Sequence, residues 1–163
     1  METGQRTRPG IPWPWVSTAA RLGLAAVWLI AGGAKVGDLA GSGRAVNAYQ
    51  VMPYEVAKVV GAALPFLEIA LGLLLLAGLA VRLSAGISLV LLLVFIAGIV
   101  SAWSRGLAID CGCFGSGGQL AAGQRPTYGT EILRDVGFLA LAGLLLWRPR
   151  SRFSIDEMLE AER

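Results

Sequence analysis

Long apolar runs alternate with short polar breaks along this chain, and the runs are too uniformly apolar to be the inner faces of soluble helices. The first extends from about Val16 to Lys35, with Arg21 near its start. The second extends from about Val56 to Val81 and contains Pro65 and Glu68; Arg82 closes it. Leu83 to Trp103 follows without a single charge, and Glu131 to Trp147 is charge-free only from Val136. A helix needs about 20 apolar residues to cross a hydrocarbon layer about 30 Å thick. The pattern therefore predicts an all-α integral membrane protein, a four-helix transmembrane bundle with spans at about 16–35, 56–81, 83–103 and 131–147.

The breaks complete the layout. Residues 1–15 form a polar, proline-broken tail that delivers Trp13 and Trp15 to the interface where an aromatic belt is expected. Val36 to Glu55 is rich in Gly and polar residues and reads as a loop with at most a short interfacial turn. About two residues separate the second and third spans, which predicts a tight antiparallel hairpin. Pro65 removes one backbone donor and is expected to bend its helix. Small residues recur in every span, among them Gly23, Gly32, Gly33, Gly72, Gly78, Gly86, Gly98, Gly137 and Gly143, and allow close helix approach. The tail 148–163 ends in a short amphipathic helix, with Ser154 and Glu157 as a capping box and Phe153 stapled on Met158.

Composition strengthens this picture and charge orients it. Hydrophobic residues make up 55% of the chain and charged ones 15%, which points away from a soluble domain. The net charge of +3 does not imply nucleic acid, because the basic residues sit at the ends of apolar runs rather than in one stripe. Arg21 and Lys35 can snorkel to headgroups from the ends of the first span. A cleaved signal peptide is the alternative for that run, but Arg21 interrupts its apolar core. An even number of spans puts both termini on one side, with Arg6, Arg8, Arg82, Arg148, Arg150 and Arg152. Lys35, Arg44, Lys58, Arg105 and Arg125 fall on the other. The rule that basic loops stay inside predicts cytoplasmic termini and an extracytoplasmic Ser104–Thr130 loop, the longest in the chain.

That loop holds both cysteines, in the segment Asp110–Gly115, which reads Asp-Cys-Gly-Cys-Phe-Gly. Cys111 and Cys113 can close a small disulfide ring over a glycine, too small to stabilise a fold much. Two thiolates are half of a tetrahedral zinc site, but the chain has no histidine and no third cysteine, so a complete site would need carboxylates or a second subunit, and no metal is expected. Lipidation of a juxtamembrane cysteine is another reading. The remaining one is a redox-active dithiol, with Arg105 as thiolate stabiliser and Asp110 as proton acceptor or as a charge opposing the thiolate.

The first run, Arg21 to Lys35, resembles the opening helix of the DoxX family, and Pro65 to Gly72 is similar to its second helix. The cysteine segment resembles the methylamine utilization protein MauE branch. The resemblance covers residues of about 16 to 147. It implies a bacterial inner-membrane protein linked to disulfide formation, acting with an extracytoplasmic thioredoxin-fold partner. In methylamine metabolism such chemistry matures the disulfide-rich small subunit of methylamine dehydrogenase.

The resulting expectation is a membrane thiol–disulfide redox component, an oxidoreductase component if the cysteines cycle. No cofactor is required by these residues, and a quinone cannot be derived from apolar helices. The rival expectation is a scaffold or small-solute permease with incidental cysteines and a polar path lined by Glu68 and Arg134. Both residues stand 14 positions before a boundary arginine, about 21 Å above that boundary at about 1.5 Å per residue. Equal depth predicts a Glu68–Arg134 ion pair, unless Pro65 shifts the register or Asp135 or Glu131 satisfies Arg134 locally.

Overall fold

The computed structural model describes residues 12–115, 117–149, 153–156 and 158. The apolar runs become α1 (Trp13–Val36), α3 (Tyr54–Ala77), α4 (Val81–Ser104) and α5 (Tyr128–Trp147). Between them lie α2 (Leu39–Ala48) and a short ribbon of β1 (Ile109–Asp110) and β2 (Gly118–Gln119). The helices α1, α3 and α4 have 24 residues each and are long and apolar enough to cross a membrane. At about 36 Å apiece they exceed the hydrocarbon thickness. The fourth apolar run, α5, has 20 residues, and its first turns carry Glu131, Arg134 and Asp135. Outward positions such as Ile30, Val59, Leu83, Val90 and Leu133 are exposed and apolar, as lipid-facing surfaces must be.

Each span starts two or three residues earlier than the apolar pattern suggests, and the loop expected over Val36 to Glu55 contains the ten-residue α2. Asp38 begins that helix by accepting from the Gly41 amide at 2.7 Å. Hydropathy misses α2 because its inner face is made of small residues, Gly41, Ser42, Gly43 and Ala45. Their value is closeness: a Cβ on Gly61 of α3 would stand 2.6 Å from Gly43 Cα. Gly32 and Gly72 do the same for α1 against α3, where a Cβ on Gly32 would stand 2.7 Å from the Pro65 carbonyl. Gly33, Gly137 and Gly143 meet nothing and have no such role.

The hairpin also differs from the expected one. Residues 78–80 do join α3 to α4 by a tight turn, with Gly78 left-handed at φ +68°. The two helices then diverge: α3 packs on α1 and α2, while α4 packs on α5 and α1 stands between α3 and α5. Trp28 of α1 fills the centre, 2% exposed, donating from Nε1 to Ser88 Oγ of α4 at 2.8 Å beside the Phe95 ring.

The charges of α1 point inward rather than snorkelling. Arg21 is 2% exposed and donates to the carbonyls of Leu75 and Leu76 at 2.7 and 2.9 Å and of Phe153 at 3.3 Å. Its positive charge lies at the negative end of α3. Asp156 mirrors it at the start of α4, accepting from the amides of Ala80 and Val81, both at 2.9 Å. At this end Arg148 lies over the rings of Trp13 and Trp147, at 5.2 and 4.9 Å. Phe153 faces Trp15 at 6.3 Å. Glu157 of the expected capping box, and Arg6, Arg8, Arg150 and Arg152, lie outside the described residues.

The expected Glu68–Arg134 pair does not form. Lys35 Nζ lies 2.6 Å from Glu68 Oε1, and both side chains are buried. Arg134 instead pairs with Asp135 at 2.9 Å. Equal depth placed Glu68 and Arg134 level, but α1 stands between their helices. Lys35 reaches Glu68 because helical side chains lean toward their helix N-terminus, which carries the ammonium back into the layer.

Candidate functional site

The end of the bundle opposite Asp156 is closed by residues 105–127, between α4 and α5. Strands β1 and β2 are antiparallel, with Ile109 opposite Gln119 and Asp110 opposite Gly118, so residues 111–115 and 117 lie at the tip. Two tyrosines fasten this ribbon to the helices. Tyr128 accepts from the Ile109 amide at 3.1 Å and donates to the Leu107 carbonyl. Tyr49, just after α2, donates to the Cys111 carbonyl at 3.0 Å.

Within the tip, Asp110 Oδ1 accepts from the Gly112 amide at 2.9 Å, a local turn that its short side chain favours. Gly112 sits at φ +68°, with the Gly117 backbone pressed against it, so a side chain at Gly112 meets both strain and a clash. The turn folds Cys113 back on Cys111: the Cys113 amide lies 3.4 Å from Cys111 Sγ. Both thiols are free, Cys111 half-buried and Cys113 buried.

Arg105, expected at the thiolate, is elsewhere. Its guanidinium is exposed and donates to the carbonyls of Tyr49, Gln50 and Ser101, fastening the end of α2 to the end of α4. The cation at the sulfur is Arg134, whose Nη2 lies 3.6 Å from Cys111 Sγ while Nε and Nη2 both reach Asp135 Oδ1. Its guanidinium also covers the Phe114 ring at 4.7 Å. Sequence reasoning placed Arg134 at mid-bundle, yet Glu131 and Arg134 are three apart on the first turns after the loop. That spacing puts both on one helix face beside the cysteines.

A polar pocket of about 560 Å³ opens here, lined by Asp110, Cys111, Phe114, Thr127, Glu131 and Arg134 among others. Thr127 donates to Glu131 Oε1 at 3.2 Å, whereas Glu131 Oε2 and Asp135 Oδ2 are buried without a partner. Donor atoms of Asp110, Cys111 and Glu131 lie within 4.8 Å of one another, the one such group among the described residues that could hold a metal ion. Three donors leave a tetrahedral set one short, and the guanidinium on the same sulfur opposes a second cation.

Electrostatics set the two thiols apart. The Cys113 thiol, its amide and Arg134 hold the Cys111 thiol below its ordinary value, against the opposing effect of burial. The Cys113 thiol is pushed far up, because it donates to Cys111 and is buried. Burial likewise pushes the Tyr49 phenol up, so it stays a donor. Two thiols set apart in this way can in chemical terms serve as a nucleophile and a resolving group.

A lipid-spanning helical bundle with a dithiol held at one end defines a multi-pass membrane protein with a polar site outside its apolar layer. Residues 13–148 match the family model described as methylamine utilisation protein MauE, and the chain belongs to that family. No curated protein and no solved structure matches the chain.

Proposed function

We propose that this protein is a membrane thiol–disulfide redox component in which Cys111 and Cys113 cycle between dithiol and disulfide. The observation that carries the reading is Cys111 Sγ, half-exposed in a polar pocket and 3.6 Å from the Arg134 guanidinium. A thiolate of a thioredoxin-fold partner attacks Cys111 sulfur in the ring, the Cys111–Cys113 bond breaks, and Cys113 leaves as a thiolate that takes up a proton. The second partner thiol then attacks the mixed disulfide and Cys111 leaves. The partner loses two electrons and the ring gains them; the reverse sequence reduces the partner. Arg134 favours the anion on Cys111 in each step, and Asp110 and Glu131 lie within reach for the protons.

The site belongs on the extracytoplasmic face of a bacterial inner membrane. Arg82 and Arg148 mark the opposite end, where basic residues favour the cytoplasm. In methylamine utilisation, the substrate of such a relay is the disulfide-rich small subunit of methylamine dehydrogenase. The alternative of a solute path lined by Glu68 and Arg134 lacks a shared wall, since Lys35 holds Glu68 and Asp135 holds Arg134.

The test is to express Cys113→Ser in intact cells, quench with acid and isolate covalent adducts. A mixed disulfide of Cys111 with a thioredoxin-fold protein, absent from Cys111→Ser, is expected. Cysteines that never change state, or that a membrane-impermeant maleimide reaches only after permeabilisation, overturn the reading.

A further inference from the structure

The divergence of α3 and α4 leaves a second cavity, of about 210 Å³, on the other side of the dithiol. Its walls come from α2, from Val60 and Leu64 of α3, and from Val94 and Phe95 of α4. Val60 and Val94 are exposed on the bundle's outer, lipid-facing surface, so the cavity communicates with the hydrocarbon layer rather than with water. The two thiols divide between the cavities: Cys111 lines both, whereas Cys113 lines the apolar one and not the polar pocket.

We infer that this cavity is the binding site of a lipid-soluble quinone, which withdraws the electron pair from the Cys111–Cys113 dithiol. The inference rests on the redox reading above and supplies its missing electron acceptor. A cavity of roughly 150 Å³ lined by apolar side chains takes a benzene ring. The present one has room for a substituted six-membered ring, with an opening to lipid for its tail. An acyl chain would need only apolar walls, but this wall also carries a cation and a thiol. Lys35 is among the residues that line the cavity, and its ammonium donates one N–H to Glu68. An ammonium carries three such groups, and a carbonyl oxygen gaining negative charge is the acceptor they suit. The step balances: two S–H bonds break, one S–S bond forms, and the two electrons and two protons convert the quinone to its hydroquinone.

Full-length protein in lipid nanodiscs is reduced, freed of reductant and mixed with decylubiquinone, and thiol loss is counted by alkylation and mass spectrometry. The wild type is expected to lose both thiols with one equivalent of hydroquinone formed per protein. Val60→Trp and Val94→Trp, which fill the cavity from its lipid edge, are expected to slow this about tenfold or more. Both variants should exchange with glutathione disulfide at Cys111 as the wild type does, which also shows that they fold. An azidoquinone should crosslink to α3 or α4 in the wild type and in Cys111→Ser/Cys113→Ser, and not in the tryptophan variants. Thiol oxidation by the quinone at the wild-type rate in filled variants, or no thiol oxidation by the quinone in protein that exchanges with glutathione disulfide, overturns the quinone site alone. Failure to exchange at all overturns the relay reading beneath it.

Discussion

Where α3 turns into α4, charged side chains meet helix termini: Arg21 lies against the last carbonyls of α3 and Asp156 against the first amides of α4. Toward the cysteine loop, charged side chains meet one another and a sulfur instead: Lys35 with Glu68, and Arg134 with Asp135 and Cys111. The first arrangement matches each charge to a helix dipole and uses otherwise orphaned backbone groups. The second leaves three carboxylate oxygens, Glu68 Oε2, Glu131 Oε2 and Asp135 Oδ2, buried without partners; at the first end the Ser84 hydroxyl is left so, but both Asp156 oxygens are satisfied. Buried carboxylate oxygens with unused capacity cost stability and can take up a proton, so one end is a fastening and the other carries the candidate site.

The strongest way to break this contrast is to separate Lys35 from Glu68. Lys35→Met and Glu68→Gln should each cost about 3–5 kcal/mol, because each strands one charge in the apolar layer. Lys35→Met/Glu68→Gln should cost less than the sum of the single variants in thermal unfolding of purified protein. Simple addition of the losses would mean the two do not act as a unit. Next in size is Arg21→Met, expected to lower stability by about 2–3 kcal/mol through loss of its charged hydrogen bonds. Alkylation of Cys111, followed by mass spectrometry, should be unchanged in that variant. A change in thiol reactivity there would couple the two ends and remove the distinction between them.

Arg134→Gln sharpens the contrast from the other side. Losing the guanidinium lets the Cys111 thiol rise toward its ordinary value. The alkylation rate at neutral pH should then fall about three- to tenfold, and its pH profile should move to higher pH. Arg105→Gln serves as the internal control and should leave that profile in place, since its guanidinium binds carbonyls instead. The smallest effect is expected on the fold itself: Cys111→Ser/Cys113→Ser should change the unfolding free energy by less than about 1 kcal/mol, because a ring closed over one residue restrains little. Aggregation of that variant would show the dithiol to be a structural element after all.

These residues also show which features can be read along a chain. A lipid-crossing helix is a one-dimensional property, so Leu83 to Trp103 was readable without any partner, as was the cysteine loop between charged boundaries. The helix α2 was not, because its packing rests on Gly41, Gly43 and Ala45, whose worth is the space they leave rather than the apolar area they bury. Ion-pair partners were unreadable for a different reason. Depth along each helix put Glu68 level with Arg134, but neighbourhood around the bundle axis decides contact, and α1 lies between them. For Arg105 and Arg134 sequence proximity to Cys111 misled: Arg105 is six positions away and faces α2, while Arg134 is 23 positions away and touches the sulfur.

The turn at Gly78 to Ala80 also has a mechanical meaning. It is clasped by Arg21 and Asp156, so α3 and α4 behave as two levers joined at one end, each about 36 Å long. A rotation of about 5° at the clasp displaces the far tips by about 3 Å at that length. The ribbon that carries Cys111 is fastened separately, by Tyr49 and Tyr128, so play of that size at the lever tips leaves the contacts of the thiol in place, and Trp28 bridges α1 to α4 halfway along the arms.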